Sequence, residues 1–395
     1  MGLLQQVFGN GAGHRQVKVF VVSEFKDRIL DAAAHGHKLR IQGGNTKQFY
    51  GDTHADTQVL DTRGWRGVVS YEPSELVVTV KAGTPLAELE ALLAEQGQSL
   101  AYEPPHFGGG ATVGGMVAAG LAGPARAHVG GVRDHVLGVQ LLNGLGESLT
   151  FGGQVMKNVA GYDVSRLMAG SLGTLGLITE LSLKVLPVAP AEATLVCALS
   201  QHDALELLHR WGGQALPLNA SAWLHDTTAQ PAQDLLFVRL RGAVAAVESA
   251  CPRMMADVQA LGGNASRIDK AQAIKDWQAS REQTLPFFQA PSTELCLWRL
   301  SLPQTAPVLN LPYAPYIEWH GGLRWLWAPA SAHQALRDAA QAVGGHATLF
   351  RQATNMSTTP PVFHPLPLAQ QHIQQALQQQ FDPMGVFNTG RAGLQ

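Results

Sequence analysis

Three glycine-rich segments constrain the fold of this chain more than any other feature of its sequence. The first glycine segment, residues 43–47, follows a short predicted strand. The second glycine segment, residues 108–123, is a long run dominated by glycine and alanine. The third glycine segment joins residues 161–163 to residues 170–176. Backbone without side chains turns sharply and allows close approach, so these segments predict places where backbone meets a ligand or another backbone.

The first glycine segment has the composition of an anion-binding turn. Gly43 and Gly44 present bare N–H groups, Asn45 and Thr46 add side-chain donors, and Lys47 adds a positive charge. The pattern is neither a GxGxxG fingerprint nor a Walker loop, since no Gly-Lys-Ser/Thr follows. By itself it is equally compatible with an ordinary turn between a strand and a helix.

The second glycine segment carries so few side chains that it would pack poorly in an ordinary core. It suits a flat ligand lying directly on the backbone, and the alternative is a close contact between two helices. Together with the third segment it indicates one extended ligand touched at several places, such as a dinucleotide with a ring system. On this interpretation, Gly114→Val should block the ligand while leaving the protein folded.

Composition narrows the class of protein. A length of 395 residues favours two or three domains, and a hydrophobic content of 46% is sufficient to form a buried core. The formal net charge of −2 gives no reason to expect nucleic acid or an anionic membrane as a partner. Only 15% of the residues are charged, which indicates either surface hidden against a partner or a large core rich in Ala and Gly.

The cysteines are few and far apart. Cys197, Cys251 and Cys296 form no CxxC pair, so we expect no intrinsic iron–sulfur cluster, no structural zinc and a reducing compartment. The N-terminal residues lack the pattern of a signal peptide, and no apolar run of about 18 residues predicts a spanning helix. We therefore expect a cytoplasmic protein without direct membrane insertion, which reaches the inner face of a membrane only through partner subunits.

Periodicity predicts alternating helices and strands in both halves of the chain. In the first half, helices are predicted at 24–35, 84–96 and 163–169, and strands at 38–41, 59–61, 68–71, 76–81, 136–142, 148–151 and 177–186. In the second half, helices are predicted at 203–211, 244–261, 271–284, 332–343 and 368–380, and strands at 235–241, 295–302 and 323–327. The segment 187–190, Pro-Val-Ala-Pro, is the predicted linker between the halves.

These motifs together resemble a known family. The order Gly-Gly-Asn-Thr, Gly-Gly-x-Val-Ala-x-Gly, Gly-Tyr-Asp and Gly-Ser-x-Gly-Thr-Leu-Gly-Leu-Ile-Thr is similar to the FAD-binding domain of the vanillyl-alcohol-oxidase/p-cresol-methylhydroxylase group. The closing run Phe-Asp-Pro-Met-Gly-Val-Phe-Asn-Thr-Gly-Arg, residues 381–391, resembles the D-lactate dehydrogenase and glycolate oxidase branch. Within that branch, the likeness is to the smaller flavin-binding subunits of bacterial glycolate oxidases, and it spans residues 20 to 392.

The resemblance implies a fold and a division into domains. The fold class is α+β, a two-subdomain FAD-binding domain joined to a reduced α+β cap domain. The expected divisions are a flexible lead-in at 1–18, an FAD-binding domain at 19–188, a cap domain at 189–345, and a C-terminal segment at 346–395 that returns to the FAD-binding domain.

The resemblance also assigns residues to the cofactor. The first glycine segment would cradle the diphosphate of FAD, the second would follow the flavin and its ribityl chain, and the remainder would complete the walls. The implied FAD-binding residues are Gly43, Gly44, Asn45, Thr46, Lys47, Pro105, Val113, Gly114, Gly115, Ala118, Gly120, Arg133, Asp134, Val159, Ala160, Gly161, Tyr162, Gly176, Ile178 and Asn388.

The function implied by the resemblance is FAD-dependent oxidation of a small 2-hydroxy acid, glycolate, to glyoxylate within a heteromeric complex. The implied partners are a larger homologous FAD-containing subunit and an iron–sulfur subunit, which would receive the electrons. Two alternatives stay open: a stand-alone FAD-dependent 2-hydroxyacid dehydrogenase, and a non-catalytic scaffold subunit of the complex.

Three departures from the family pattern qualify this function. Asn45 stands where members with covalent flavin carry a histidine, so we expect a non-covalent cofactor. Leu172 replaces a glutamate of the family motif. The sequence lacks a run resembling the family's metal-binding His-x-Gly-Asp-Gly-Asn-x-His cluster, and 320–322, His-Gly-Gly, is its nearest approach. We therefore predict no metal site and no certain catalytic residue, with His106 and His346 as weak acid–base candidates.

Overall fold

The structure is a computed structural model of the chain, and it describes residues 22–52, 57–153, 163–228, 230–355 and 360–393. Val159 to Tyr162, predicted to contact FAD, and the lead-in 1–18 lie outside the described residues. In the described part of the chain, no helix is both long and apolar enough to cross a lipid bilayer. Helices combine with largely antiparallel sheets, which confirms the predicted α+β class.

The first half of the chain forms two small layers. Its elements are α1 (Val22–His35), β1 (Leu39–Gln42), β2 (Gln58–Asp61), β3 (Val68–Glu72), β4 (Val77–Lys81), α2 (Leu86–Glu95), β5 (Gln98–Ser99), α3 (Val113–Ala119), α4 (Arg126–Val129), α5 (Val132–His135), β6 (Val136–Leu142), β7 (Ser148–Gly152), α6 (Val164–Leu167), β8 (Leu177–Lys184) and β9 (Leu186–Pro187). Strands β1 and β2 pair in parallel, and a five-stranded antiparallel sheet has the order β3-β4-β8-β6-β7.

Buried side chains explain these elements. In α1, Phe25, Ile29 and Ala32 recur at helical spacing on the buried face. Strand β4 is almost continuously buried: it lies inside the sheet between β3 and β8, and α3 packs against it. Helix α2 begins two residues later than the predicted start at 84, and Pro85 holds the cap position without a side-chain bond. Thr84 Oγ1 instead donates to the carbonyl of Lys81, because Thr84 belongs to the turn after β4.

The second half forms one larger antiparallel sheet with helices packed on it. Its elements are β10 (Ala191–Ala198), α7 (Gln201–Gly212), β11 (Leu218–Asp226), β12 (Gln233–Gly242), α8 (Val244–Ala260), β13 (Asn264–Arg267), α9 (Lys270–Glu282), β14 (Leu295–Ser301), β15 (Pro315–Glu318), β16 (Leu323–Pro329), α10 (His333–Ala342), β17 (His346–Arg351) and α11 (Leu368–Phe381). The strand order is β13-β10-β12-β11-β15-β16-β14-β17.

The C-terminal part divides differently from the expected boundary. Strand β17, expected in a segment returning to the first domain, pairs with β14 at the edge of the eight-stranded sheet. The return begins later. Phe387 bridges to Leu39 in parallel, and the carbonyl of Val386 accepts a hydrogen bond from Leu39 N at 2.7 Å. The chain end thus extends the layer of β1 and β2.

The two halves share an apolar interface. Side chains from the first half, among them Tyr50, Leu121 and Leu172, pack in one cluster with Phe350 of the eight-stranded sheet and with Trp319, which follows β15. Apolar burial of this kind is the main favourable term in holding two layers together. The sheet therefore lies directly against the first and second glycine segments.

An ion cluster reinforces that interface. The largely buried Glu103 accepts a hydrogen bond from Arg239 Nη2 at 2.7 Å and from Arg241 Nη1 at 3.0 Å, and Glu192 pairs with Arg241. Glu103 also accepts from Ala125 N, at the end of the second glycine segment. One carboxylate thus ties the second glycine segment to strand β12.

Candidate functional site

A cleft of about 770 Å³, including the solvent at its open mouth, lies between the glycine segments of the first half. The first and second glycine segments, the end of the third, and the returning C-terminal segment all contribute to its wall. The lining residues are Ile41, Gln42, Gly43, Gly44, Asn45, Thr46, Lys47, Gln48, Thr62, Ala82, Thr112, Gly114, Gly115, Ala118, Ala119, Leu172, Gly173, Gly176, Leu177, Ile178, Asn388 and Arg391.

The first and second glycine segments touch through their backbones. A Cβ placed on Gly44 would lie 1.4 Å from the carbonyl oxygen of Gly110. A Cβ on Gly43 would lie 2.2 Å from Thr112 Oγ1. Neither position has room for a side chain, so glycine here serves the contact between the two segments as well as the approach to a ligand.

Helix α3 presents its glycines in two directions. Thr112 caps the helix, and its hydroxyl accepts from Gly115 N at 3.2 Å. A Cβ on Gly114 would meet the Cβ of Ala82 at 2.7 Å, so this glycine packs against the turn after β4. A Cβ on Gly115 would meet only Thr112 Oγ1, at 3.1 Å, and Gly115 is exposed on the cavity wall.

The C-terminal segment closes the cavity through Asn388. Its amide oxygen accepts from Ile41 N at 2.9 Å, and its amide nitrogen donates to the carbonyl of Leu172 at 2.6 Å. Asn388 lies in the left-handed region at φ 38°, which asparagine tolerates better than most residues. This one side chain joins β1 to the third glycine segment.

Of the described residues that line the cavity, Lys47 and Arg391 carry charge, and none is an aspartate or glutamate. Burial lowers the pKa of Lys47 to about 8, against the opposing effect of Glu282. Lys47 Nζ donates to the carbonyl of His106 at 3.1 Å, which links the first glycine segment to the second. A wall of this charge suits an anionic ligand.

The predicted residues divide into those at this cavity and those elsewhere. Gly43 to Lys47, Gly114, Gly115, Ala118, Gly176, Ile178 and Asn388 line it. Pro105 lines a smaller cavity against the eight-stranded sheet. Val113 is fully buried in the core, and Gly120 ends α3 in a left-handed turn against Gly170. Arg133 and Asp134 lie exposed in α5, where Asp134 accepts from Gly131 N.

Sequence reasoning missed several lining residues. Leu172 and Gly173 lie inside motifs quoted for the family, and Thr112 lies in the second glycine segment, but none of the three was assigned to the cofactor. Thr62 and Ala82 follow β2 and β4, and no local pattern distinguishes them from other turn residues. Arg391 was part of the closing run, where its cationic side chain three residues after Asn388 was the available signal.

The two weak catalytic candidates point away from the cavity. His106 Nε2 lies 2.9 Å from Glu90 Oε2, and its backbone N–H donates to Glu282. His346 is exposed at the start of β17, and neither histidine lines the cavity. The ring of His320 is also hydrogen-bonded within the protein, since its Nδ1 lies 2.9 Å from Ser221 Oγ. Burial lowers the pKa of His320 to about 4.

Two further cavities border the eight-stranded sheet. One of about 1110 Å³ lies against α9, where Trp277, Phe287 and Tyr316 form much of the wall. Its charged lining residues are Asp226 and Asp276, which would repel an anionic acid. The other, of about 340 Å³, lies between the second glycine segment and the sheet, with Arg299 and Glu318 in its wall.

Glu318 is a buried carboxyl group without an ion pair. Its oxygens accept from Ser280 Oγ at 3.0 Å and from Trp325 Nε1 at 2.8 Å. Burial raises the pKa of Glu318 to about 7, although these hydrogen bonds and Arg299 oppose the change. The group is therefore a neutral acid over much of the acidic range.

This carboxyl group should make stability depend on pH. The folded state retains a proton that the unfolded chain releases near pH 4.5, so stability should fall as pH rises from about 4.5 to about 7. Glu318→Gln keeps a hydrogen-bonding side chain without a titrating group, and should flatten that decline. Melting temperatures at intervals across this range, with exposed Glu294→Gln as control, measure the effect. Parallel curves for wild type and Glu318→Gln would contradict it.

Comparison with known proteins shows which family model and which relatives this chain resembles. Residues 19–152 match the family model described as an FAD binding domain. The chain is 45% identical over 365 residues to the glycolate oxidase subunit GlcE of Escherichia coli (strain K12), an alignment that covers 92% of this chain and 95% of that subunit. It is 32% identical over 138 residues to the glycolate oxidase subunit GlcD of Bacillus subtilis (strain 168), covering 35% of this chain and 29% of that protein.

Solved structures give the same fold. An alkyldihydroxyacetonephosphate synthase superposes with a TM-score of 0.65 at 15% identity, covering 93% of this chain and 74% of that one. At this identity the likeness concerns the fold alone.

The residues of the main cavity fit FAD. Gly115 leaves bare backbone on the cavity wall for a flat ligand. Within the described part of the chain, two cations line the cavity without an acid in the lining, and Arg391 Nε is buried without a hydrogen-bond partner. A ligand carrying a diphosphate supplies both the missing charge and the missing acceptors.

Proposed function

This chain belongs to the family of the glycolate oxidase subunit GlcE, and on that premise we propose that it is the FAD-binding subunit of a glycolate oxidase complex. In such a complex glycolate is oxidised to glyoxylate, and electrons pass to an iron–sulfur subunit. The observation that carries the proposal is the likeness to that subunit along nearly the whole chain. Cys197, Cys251 and Cys296 lie buried in β10, α8 and β14, so electron transfer through a cluster falls to a partner.

FAD is the cofactor of this chain; when bound, its ring system accepts a hydride from a hydroxy acid and returns electrons to an acceptor. We propose that the cofactor is held without a covalent bond, because Asn45 offers no nucleophile to the ring. The residues that would hold it are the first glycine segment, Gly115, Asn388 and the two cations of the cavity.

The lining of the main cavity provides no acid–base partner for a hydroxyl group. Among the described residues that line it there is no histidine, aspartate or glutamate, and the ammonium group of Lys47 donates to the carbonyl of His106. Oxidation of a hydroxy acid needs a group that accepts the hydroxyl proton. This favours a larger homologous flavin subunit as the place of glycolate oxidation, with this chain relaying electrons.

One observation favours the alternative, a stand-alone dehydrogenase for a small 2-hydroxy acid. The smaller cavity between the second glycine segment and the eight-stranded sheet has Arg299 and Glu318 in its wall. A guanidinium group can bind the carboxylate of an acid, and a carboxyl group with a pKa of about 7 can accept a proton near neutral pH. The third reading, a scaffold subunit without flavin, has no such structural feature in its favour.

The absorption spectrum of the purified chain distinguishes these functions. We expect a yellow protein that releases FAD on mild denaturation, keeps its colour with glycolate or D-lactate when alone, and bleaches with glycolate after co-expression with the partner subunits. Bleaching of the lone chain by either acid would favour the stand-alone dehydrogenase. A folded, colourless chain would overturn the proposal and favour the scaffold.

A further inference from the structure

We propose that Arg391, supplied by the C-terminal segment, is the charge partner of the diphosphate of FAD. The inference rests on FAD as the cofactor and is independent of the acid that the complex oxidises. It assigns a binding role to the end of the chain, more than 340 positions from the first glycine segment whose cavity it shares.

The C-terminal segment reaches the cavity through a fixed set of backbone contacts. Leu39 N donates to the carbonyl of Val386, and Asn388 N donates to the carbonyl of Leu39 at 2.9 Å. Arg391 N then donates to the carbonyl of Asn388 at 3.0 Å. These contacts place Arg391 beside the first glycine segment whether or not its side chain is charged.

The guanidinium group of Arg391 is only partly satisfied by the protein. Nη2 donates to the carbonyls of Lys47 and Tyr50, each at 3.2 Å, and Nη1 lies 3.4 Å from Gln48 Oε1. Among the described residues, Nε is buried and has no hydrogen-bond partner. The weak bonds fix the orientation of the group and leave part of its donor capacity unused.

The charge of Arg391 is likewise uncompensated. No carboxylate of the described residues lies within ion-pair distance of it. Burial, together with the nearby Arg40, lowers the pKa of Arg391 below its ordinary value. Lys47 adds a second cation to the same wall. A buried cation without a partner is costly, so an anion bound here gains both charge and hydrogen bonds.

A diphosphate matches this arrangement better than the other parts of FAD. Its oxygens accept bidentate hydrogen bonds from a guanidinium group, whereas the flavin ring and the adenine need flat apolar walls. The first glycine segment adds backbone N–H groups beside Arg391. The C-terminal segment therefore contributes an electrostatic contact in addition to the closing contact of Asn388.

The test compares ligands that carry or lack the diphosphate on the full chain freed of flavin. Arg391→Met should lower the affinity for FAD by at least about tenfold, because a charge-assisted hydrogen bond contributes about 1.5–3 kcal/mol. The affinity for ADP, measured by competition, should fall by a similar factor. Riboflavin, which has no phosphate, should bind as it does to the wild type. Arg391→Lys keeps the charge and should recover part of the loss.

The control is Arg40→Met, which removes a neighbouring cation that does not line the cavity. It should leave the affinity for FAD within about twofold of the wild type, since a screened charge outside the site contributes little. Equal losses for Arg40→Met and Arg391→Met, or an equal loss of riboflavin and FAD, would overturn the assignment.

Thermal melting separates binding from a purely structural role. Without FAD, Arg391→Met should melt at or above the wild-type temperature, because it removes an uncompensated buried charge. With FAD, it should melt below the wild type, because ligand stabilisation follows affinity. A variant that melts lower in both states would show that Arg391 is structural. None of these measurements depends on glycolate, so inactivity toward glycolate would count against the proposed function alone.

Discussion

Gly115→Val should give a folded protein that does not retain FAD. A Cβ at this position meets only Thr112 Oγ1 and otherwise enters the cavity, so the valine occupies space that the cofactor needs. Overfilling a packed site costs about 1–3 kcal/mol, which corresponds to about 10- to 100-fold in affinity. The backbone has no need of glycine here, because Gly115 lies inside a helix at negative φ. Flavin absorbance after gel filtration measures how much FAD the variant retains. The circular dichroism spectrum measures whether the variant is folded.

Two other glycines of the same segment serve as controls for Gly115→Val. Gly109→Val should keep both the fold and FAD, because a Cβ there meets no atom within 4 Å. Gly114→Val should destabilise the protein, because its Cβ would overlap Ala82. This corrects the expectation drawn from the sequence, that valine at position 114 would leave the fold intact. Full FAD occupancy in Gly115→Val would contradict the placement of the cofactor on this face of α3.

Glu103→Gln should be the most destabilising conservative change at the interface between the two halves. The substitution leaves Arg239 buried and without a carboxylate, while Arg241 keeps Glu192. Removing one partner of a buried ion pair costs about 3–5 kcal/mol. Denaturant unfolding of wild type and variant measures the loss. Glu248→Gln breaks an exposed pair with Arg267 and should cost less than about 1 kcal/mol.

The same cluster should weaken the fold in acid. Burial opposes the charged form of Glu103, but the guanidinium groups of Arg239 and Arg241 outweigh it and hold the pKa of Glu103 below its ordinary value. A carboxyl group with a lowered pKa stabilises the fold above the pKa of the unfolded chain, and that contribution is lost as pH falls through the folded value. Stability of the wild type should therefore drop below about pH 4, and Glu103→Gln should show a smaller drop. The idea fails if both proteins lose stability in parallel on acidification.

Local elements were largely predictable from the sequence. Strands β4, β6 and β7 and helices α1, α9 and α11 lie close to their predicted positions, since periodic apolar residues report burial directly. Strands β10, β11 and β15 were not predicted. They are parts of a large sheet whose sequence contains polar residues such as Asn219 and Glu318, which are buried through partners distant in the chain. No local pattern contains that information.

The candidate site, too, was predictable from the sequence only in part. The glycine motifs and the closing run predicted the wall of the cavity, because these backbone requirements are written in residue type and order. The motifs did not show which glycine serves the ligand. Gly114 and Gly115 are adjacent and chemically identical, and only the position of Ala82 makes the first a packing contact and the second a cavity wall. The sequence proposed His106 as a weak acid–base candidate, but in the structure its ring lies within hydrogen-bonding distance of Glu90.

The sequence by itself determined that this chain binds a flavin dinucleotide and that it belongs with oxidoreductases acting on 2-hydroxy acids, because three glycine segments in a specific order form a strong joint pattern. Only the tertiary structure decided how charge is distributed at the site. Lys47 and Arg391 share one wall of the cavity, and Glu103 and Arg239 form an ion pair between the two halves, through contacts between residues more than 130 positions apart. Electrostatic interactions depend on distance and burial in three dimensions, and neither is encoded in the spacing of residues along the chain.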